Sequence, residues 1–328
     1  MNPLDGKRPG VVTVTLNVAI DQTLDVPGFQ AGAVNRAVAE TRTAGGKGIN
    51  VAAFLSGNPL AGGPVPVTAT GFLGEENAAV FDALFRRRGI RDRFLRLPGR
   101  SRVNIKLVDR EGRSVTDINL PGLHAPAESW RGLLTVVDDL AVTDRTFVLA
   151  GSVPAGVPDT AYADMVARLH ARGAFVAVDA SGPPLRHAVA ARPDMVKPNA
   201  AELAELLGRP LTGRAEVVRA ARDLSDAGIA LVVVSLGAEG AIFVEGDRAL
   251  LAVPPSVEVA STVGAGDAMV AGVVSARLEG AGLEDCARRG TAFAAGTLSR
   301  LGPELPPPER LAELLRAVRT EDVRVEEL

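Results

Sequence analysis

Five short uncharged runs, rich in β-branched and aliphatic residues, recur at 11–16, 65–70, 146–150, 175–178 and 231–234. A strand with one wet face alternates polar and apolar side chains, so runs without clean alternation read as strands covered on both faces. Helical stretches separate them, at 46–55, 75–88, 159–172 and 215–227. This alternation predicts an α/β fold, a doubly wound and mostly parallel sheet with helices on both faces. A chain of 328 residues is within the range of one large α/β domain. The reading is a flexible tail at 1–10 followed by a single domain over 11–328.

Two segments, 21–43 and 94–119, break the rhythm. In Arg102-Val103-Asn104-Ile105-Lys106-Leu107-Val108 polar and apolar residues alternate with period two, the mark of strands with one wet face. These segments predict a small antiparallel sheet standing off the main one, as a lid over a cleft or an interface to a second copy. From Gly264 onward the chain turns helical, at 267–278, 283–298 and 308–318, with a proline-rich connector at 302–308.

Composition narrows the partners. Apolar residues make up 47% of the chain and aromatics only 4%, so the core is aliphatic. Thirty-six basic against thirty-nine acidic residues leave a formal charge of −3, with both signs interspersed, which offers no footprint for nucleic acid or an anionic membrane. No run reaches the roughly 18 apolar residues of a membrane span, and 1–10 lacks the apolar region of a signal peptide. The single cysteine, Cys286, excludes an intramolecular disulfide. A soluble protein of the reducing cytoplasm is the expectation.

The densest chemical signal is Ser261-Thr262-Val263-Gly264-Ala265-Gly266-Asp267. Small residues entering a helix let the N–H groups of Gly264, Ala265 and Gly266 converge on an anion. Asp267 in that first turn could take the proton of an attacking hydroxyl beside a transferring phosphoryl group; it could equally be an acid that suits the helix dipole. The run Gly45-Gly46-Lys47-Gly48-Ile49-Asn50 is neither a Walker loop nor a dinucleotide fingerprint, and it reads as a ligand-approach loop or as a turn containing a lysine. Asp21, just past the first strand, stands where open α/β sheets bind ligands and could grip sugar hydroxyls, or it is a turn residue. Asn199 and Glu202 form a capping-box pattern that could also orient hydrated Mg2+. Ser235-Leu236-Gly237-Ala238-Glu239-Gly240 fits a hairpin turn or a nucleotide packed on glycines. His124, His170 and His187 show no metal-ligand spacing.

Taken in order, these segments resemble the PfkB branch of the ribokinase-like carbohydrate kinases, over about 11–301. The resemblance rests also on Thr15-Leu16-Asn17, Thr116-Asp117-Ile118-Asn119, Gly151-Ser152-Val153-Pro154 and Lys197-Pro198-Asn199. It implies a ribokinase-like sheet with a β lid, ATP and Mg2+ as cofactors, and phosphorylation of a sugar phosphate. Asp267 would be the base, with Gly264, Ala265 and Gly266 as the anion hole. Lys197, Asn199, Ser235, Gly237, Gly240 and Thr262 would line the nucleotide, and Asn199 and Glu202 would hold Mg2+ through water. Asp21, Gly45, Gly46 and Asn50 would hold sugar hydroxyls. Arg102 would bind the substrate phosphate, joined by Lys47 from the opposite wall and by Asn104 and Lys106, which share the face of Arg102.

The expected substrate is fructose 1-phosphate, phosphorylated on its 6-hydroxyl; fructose 6-phosphate and tagatose 6-phosphate are the alternatives. The resemblance also implies K+ on carbonyl oxygens near 259–263 and 297–302, and a homodimer through the lid. Val18 and Ala268 depart from the family's usual proline and serine. A silent sugar-phosphate sensor is the competing class, and it would have no use for Asp267 beside an intact glycine hole.

Overall fold

The computed structural model describes residues 10–323 apart from 59, 61–64, 113, 260 and 301. The tail expected at 1–10 falls, except for Gly10, outside the described residues. A large sheet carries its strands in the spatial order Arg319–Asp322, Arg248–Val253, Ala241–Glu245, Leu231–Ser235, Met195–Val196, Phe175–Asp179, Thr146–Ala150, Val11–Thr15, Val67–Gly74 and Arg91–Asp92. From Leu231–Ser235 to Val67–Gly74 every pairing is parallel, and the five uncharged runs all lie there.

Their lack of alternation has a direct cause. Val148 and Ala150 enter one core while Phe147 and Leu149 enter another on the opposite face. The first core is closed by the helices Lys47–Ser56, Ala79–Arg88, Ala265–Arg277, Leu283–Leu298 and Pro308–Ala317. The second is closed by Ala127–Leu140, Ala161–His170, Gly182–Ala190, Ala200–Leu207 and Gly213–Asp226.

Two of these helices lie outside those assigned from sequence. Ala127–Leu140 buries Trp130, Leu133, Val137 and Leu140, a helical spacing of three and four. Gly182–Ala190 opens with Pro183 and Pro184; proline reads as a breaker, yet a first turn tolerates it because its missing N–H has no partner there anyway. At the far edge Arg319–Asp322 pairs antiparallel with Arg248–Val253, and a charged strand of this kind discourages further pairing.

The small sheet has the order Ala39–Gly45, Ala19–Asp25, Arg102–Asp109, Ser114–Asn119. It corrects the antiparallel expectation, because its central pair, Ala19–Asp25 with Arg102–Asp109, is parallel. Ala19–Asp25 follows Val11–Thr15, and Arg102–Asp109 follows Leu95–Leu97, which runs parallel to Val67–Gly74 and so to Val11–Thr15, so both strands leave from the same end. The lid also starts later than 94, since Leu95–Leu97 pairs with Val67–Gly74. At its far end the Asp109 carboxylate accepts the N–H groups of Gly28, Phe29, Glu111 and Gly112, tying a loop to a hairpin.

Val11–Thr15 has Val67–Gly74 on one side and Thr146–Ala150 on the other, so the chain winds away from it in both directions. Such a switch point opens a crevice beyond the carboxyl ends of the strands. The lid rises from that crevice.

Phe243, buried in the first core, tests whether 11–328 unfolds as one unit. Phe243→Ala should cost about 3–5 kcal/mol. Trp130, the chain's one tryptophan, lies in the second core, so its fluorescence in a urea titration should shift together with the circular dichroism. A Trp130 transition that stays in place would argue for separate units.

Candidate active site

The crevice collects side chains from helices and strands of the main sheet and from the lid. Gly264 takes a left-handed conformation, φ 82°, and starts the helix Ala265–Arg277, whose first N–H groups have no acceptor inside the helix. Asp267 lies in that first turn, is 6% exposed, and accepts a 2.8 Å hydrogen bond from Asn50 Nδ2. The Asn50 amide reaches it from Lys47–Ser56, the helix entered through Gly45 and Gly46.

Beside them Asp179, at the end of the strand Phe175–Asp179, is 1% exposed. Its Oδ1 is 2.8 Å from Lys47 Nζ and its Oδ2 is 3.4 Å from Lys197 Nζ. Lys197 lies directly under the proposed anion hole, where a Cβ built on Gly266 would be 3.2 Å from its Nζ. Two ammonium groups face Asp179 and Asp267, so the charges balance once Asp267 ionises, and the free N–H groups of the helix N-terminus remain to attract phosphate.

The ionisation states follow from burial and neighbours. Burial, and then the charge of Asp179, push the Asp267 carboxyl up from 3.8 to about 6, against the pull of Asn50, Lys47 and Lys197. Burial would also raise Asp179, but Lys197 and Lys47 outweigh it and hold that carboxyl below the ordinary range. Lys47 loses by burial and gains more from Asp179, and is pushed up to about 12. The result is one carboxylate fixed in its charged form and one that titrates near neutrality.

A second group lies on the lid. Asn104 Nδ2 donates to Asp21 Oδ1 at 3.0 Å, and the Asp21 carboxylate packs so closely on Gly45 that a Cβ there would fall 2.1 Å from Oδ2. Burial raises the Asp21 carboxyl, while Asn104, Arg102 and Lys106 pull it down. Arg102 is half-buried with its Nε lacking a partner, and Lys106 Nζ is 2.8 Å from Asp117. The sequence-expected residues thus fall into two groups, and Lys47 stands with Asp267 rather than with Arg102 and Lys106.

The residues expected to line a nucleotide lie along neighbouring strands. Asn199 bridges Ser235, and the turn Gly237–Glu239 with Gly240 follows. The capping box is formed, with Asn199 Oδ1 accepting from Glu202 N and Glu202 Oε2 accepting from Asn199 N, both at 2.8 Å. Thr262 is exposed just ahead of the Gly264 turn.

Asp179 was not among the sequence candidates. The signal for it was present, since it ends a buried run, Phe175-Val176-Ala177-Val178-Asp179, at the same strand edge that singled out Asp21.

A doubly wound sheet, a small lid sheet and a buried carboxylate in the first turn of a glycine-led helix define the class of the ribokinase-like carbohydrate kinases. The sequence model described as pfkB family carbohydrate kinase matches residues 12–310, and the chain belongs to that family. It is 52% identical over 311 residues to the 1-phosphofructokinase of Rhodobacter capsulatus, covering 94% of this chain and 96% of that protein. Its fold is similar to Escherichia coli phosphofructokinase-2 in complex with potassium (TM-score 0.87, 28% identity, 94% and 98% of the two chains). The same enzyme in complex with fructose-6-phosphate gives TM-score 0.86 at 27% identity over the same shares. Among the described residues no helix is long and apolar enough to cross a membrane.

A raised native pKa means that the ionised carboxyl is penalised in the folded state only. Asp267 therefore lowers stability above about pH 6 and has no such effect below the unfolded value of 3.8. Asp267→Asn, similar in shape and uncharged, should melt higher than wild type at about pH 7.5 and lose that advantage progressively as the pH falls from about 6 to below 3.8. A melting difference that does not change with pH would rule out the buried titrating acid.

Proposed function

We propose that the chain transfers the γ-phosphoryl group of ATP to the 6-hydroxyl of fructose 1-phosphate, giving fructose 1,6-bisphosphate and ADP. The observation that carries this reading is Asp267, a buried carboxylate beside two lysines and a glycine-led helix N-terminus, facing a crevice whose lid presents the half-buried guanidinium of Arg102. Above its pKa, Asp267 takes the proton of the 6-hydroxyl as that oxygen bonds to the γ-phosphorus and the bond from phosphorus to the departing ADP oxygen breaks. The N–H groups of Gly264, Ala265 and Gly266 stabilise the oxygens in transfer. Asp21, Gly45, Gly46 and Asn50 hold the sugar, and Lys197, Asn199, Ser235, Gly237, Gly240 and Thr262 line the nucleotide. Arg102 takes the 1-phosphate as a fork of N–H donors, with Asn104 and Lys106 on the same face.

The residues present fit Mg2+. Glu202 uses one carboxylate oxygen in its cap, and the described residues contain no group of three or more His, Cys, Asp or Glu that would cage a metal. That suits an ion carried by nucleotide phosphates with several waters kept. Bound there, Mg2+ would neutralise phosphate charge, and Asn199 and Glu202 would hold it through water. For K+, a 3.1 Å bond from Ser261 N to the Leu298 carbonyl joins the two segments expected to supply oxygens, although Ala260 and Leu301 lie outside the described residues. Glu202→Gln should raise the Mg2+ concentration needed for half-maximal rate, and K+ should support a higher rate than Na+. Identical titrations, and equal rates in the two salts, would count against these assignments.

The outer face of the lid supports a homodimer. Ile105, Leu107 and Ile118 alternate with the polar face and remain partly or well exposed, Ile118 at 44%. Ile118→Lys should shift the sedimentation profile toward a lighter species; an unaltered profile would remove the lid from the interface.

The deciding experiment measures kcat/KM for ATP with fructose 1-phosphate, fructose 6-phosphate and tagatose 6-phosphate. Fructose 1-phosphate should lead. Asp267→Asn should lower turnover by roughly two to four decades. Arg102→Ala should raise the KM for the sugar phosphate by a factor worth about 1.5–3 kcal/mol with the KM for ATP unchanged. A lead for either 6-phosphate would change the substrate. No turnover with any of the three would favour the sensor.

A further inference from the structure

Arg102 is the first residue of its lid strand, and the chain immediately before it is fastened to the main sheet. Ser101 is 2% exposed. Its N–H donates to Asn77 Oδ1 at 2.8 Å, and its carbonyl accepts from Asn77 Nδ2 at 2.9 Å. Its hydroxyl accepts the N–H of Gly74 at 2.9 Å. Gly74 ends the strand Val67–Gly74, and Asn77 closes the short turn Glu75–Asn77 that follows. The approach is as close as backbones allow: a Cβ on Gly74 would lie 2.3 Å from Ser101 N and 2.5 Å from the Arg100 carbonyl carbon.

Little else fixes Arg102 at that point. On one side its strand pairs with Ala19–Asp25, Arg102 opposite Ala19. On the other side, pairing with Ser114–Asn119 begins at Asn104, and the Val103 carbonyl accepts the N–H of Leu120 at 3.3 Å. The Nε of Arg102 makes no hydrogen bond and the guanidinium feels the charge of Asp21 on the neighbouring strand, so its direction depends on where the backbone of residue 102 sits relative to that strand. Among the described residues, the one side-chain grip on the adjacent peptide groups is the reciprocal pair from Asn77.

We propose that Asn77, through its two hydrogen bonds to the Ser101 backbone against Gly74, is a positioning residue that aims Arg102 at the phosphate of the sugar substrate. This rests on the reading of Arg102 given above. Asn77 touches neither the nucleotide residues nor Asp267, so its effect belongs to sugar-phosphate affinity rather than to the chemical step. Asn77→Ala should raise the sugar-phosphate KM about three- to tenfold, the worth of a hydrogen bond or two, with the KM for ATP and kcat within about twofold of wild type. Asn77→Asp keeps the acceptor for Ser101 N–H and should fall between.

A double-mutant cycle tests the route. If Asn77 acts through Arg102, the Asn77→Ala, Arg102→Ala double variant should have the sugar-phosphate KM of Arg102→Ala alone. Multiplied effects would overturn the route through Arg102. So would an Asn77→Ala enzyme that melts lower yet keeps both KM values, because that is what a merely structural pair would do. Where Arg102→Ala raises the sugar-phosphate KM and Asn77→Ala does not, the positioning role alone fails. Where Arg102→Ala leaves that KM unchanged, the phosphate-binding reading fails, and this one with it. Should Asn77→Ala not fold, Ser101→Ala, which loses only the bond from Gly74, should raise the same KM by a smaller factor, and an unchanged value would overturn the proposal.

Discussion

A buried carboxylate between two ammonium groups organises the catalytic end of this molecule. Asp179 has almost no contact with solvent, and its charge is tolerable only because Lys47 and Lys197 stand on its two oxygens. Leaving a buried charge unpaired costs several kcal/mol, so the three groups hold one another in place. They come from the strand Phe175–Asp179, from the start of the helix Lys47–Ser56 and from the turn after Met195–Val196. The register of three separate chain segments is thereby fixed at one point, and Asp267 is placed against a field whose parts cannot move independently.

The same field separates two acids by environment. Asp179 is surrounded by cations and stays charged, whereas Asp267 meets burial and the Asp179 charge before its own partners and rises toward neutrality. A charged acid that positions lysines and a neighbour able to exchange a proton are different chemical tools made from one side-chain type. Gly45 and Gly46 connect this end to the lid. The strand Ala39–Gly45 carries the chain down from the lid sheet, and Lys47 opens the helix that delivers Asn50 to Asp267.

Much of this was legible in sequence where the cause is local. Uncharged runs announced the parallel strands, Gly264-Ala265-Gly266-Asp267 announced the helix entry, and Asn199 with Glu202 announced a capping box that forms. The rest depends on contacts that sequence spacing does not encode. Lys47 and Asp179 are 132 residues apart, and nothing in Phe175-Val176-Ala177-Val178-Asp179 says that two lysines will come to it. Period two in 102–108 identified a half-wet strand but could not say whether its neighbour runs parallel, because that follows from which end of the main sheet each strand leaves. Asn77 sits in an unremarkable polar stretch, and its partner Ser101 lies across the boundary between sheet and lid. The helix Ala127–Leu140 was legible in its spacing of Trp130, Leu133, Val137 and Leu140, and the prolines at 183 and 184 hid the next one.

The geometry also bears on how one sugar phosphate is told from another. In the furanose form, fructose 1-phosphate and fructose 6-phosphate each carry a phosphate on one exocyclic carbon and a free hydroxyl on the other, so turning the ring over exchanges the two ends. A phosphate grip at the lid and a base at the helix N-terminus would accept either molecule. In the proposed roles, Arg102 and Asp267 by themselves would set the distance between phosphate and attacking hydroxyl without setting the identity of the sugar. The turned ring differs in where its secondary and anomeric hydroxyls point. Under the proposed reading those hydroxyls meet the Asp21–Asn104 pair, in which Asn104 holds one carboxylate oxygen and Gly45 lies against the other. A fixed acceptor that must be matched by a substrate hydroxyl discriminates far more sharply than a shape-matched apolar wall, because a mismatch leaves a buried polar group unpaired. Under that reading, selectivity between the two phosphates would belong to Asp21 and Asn104.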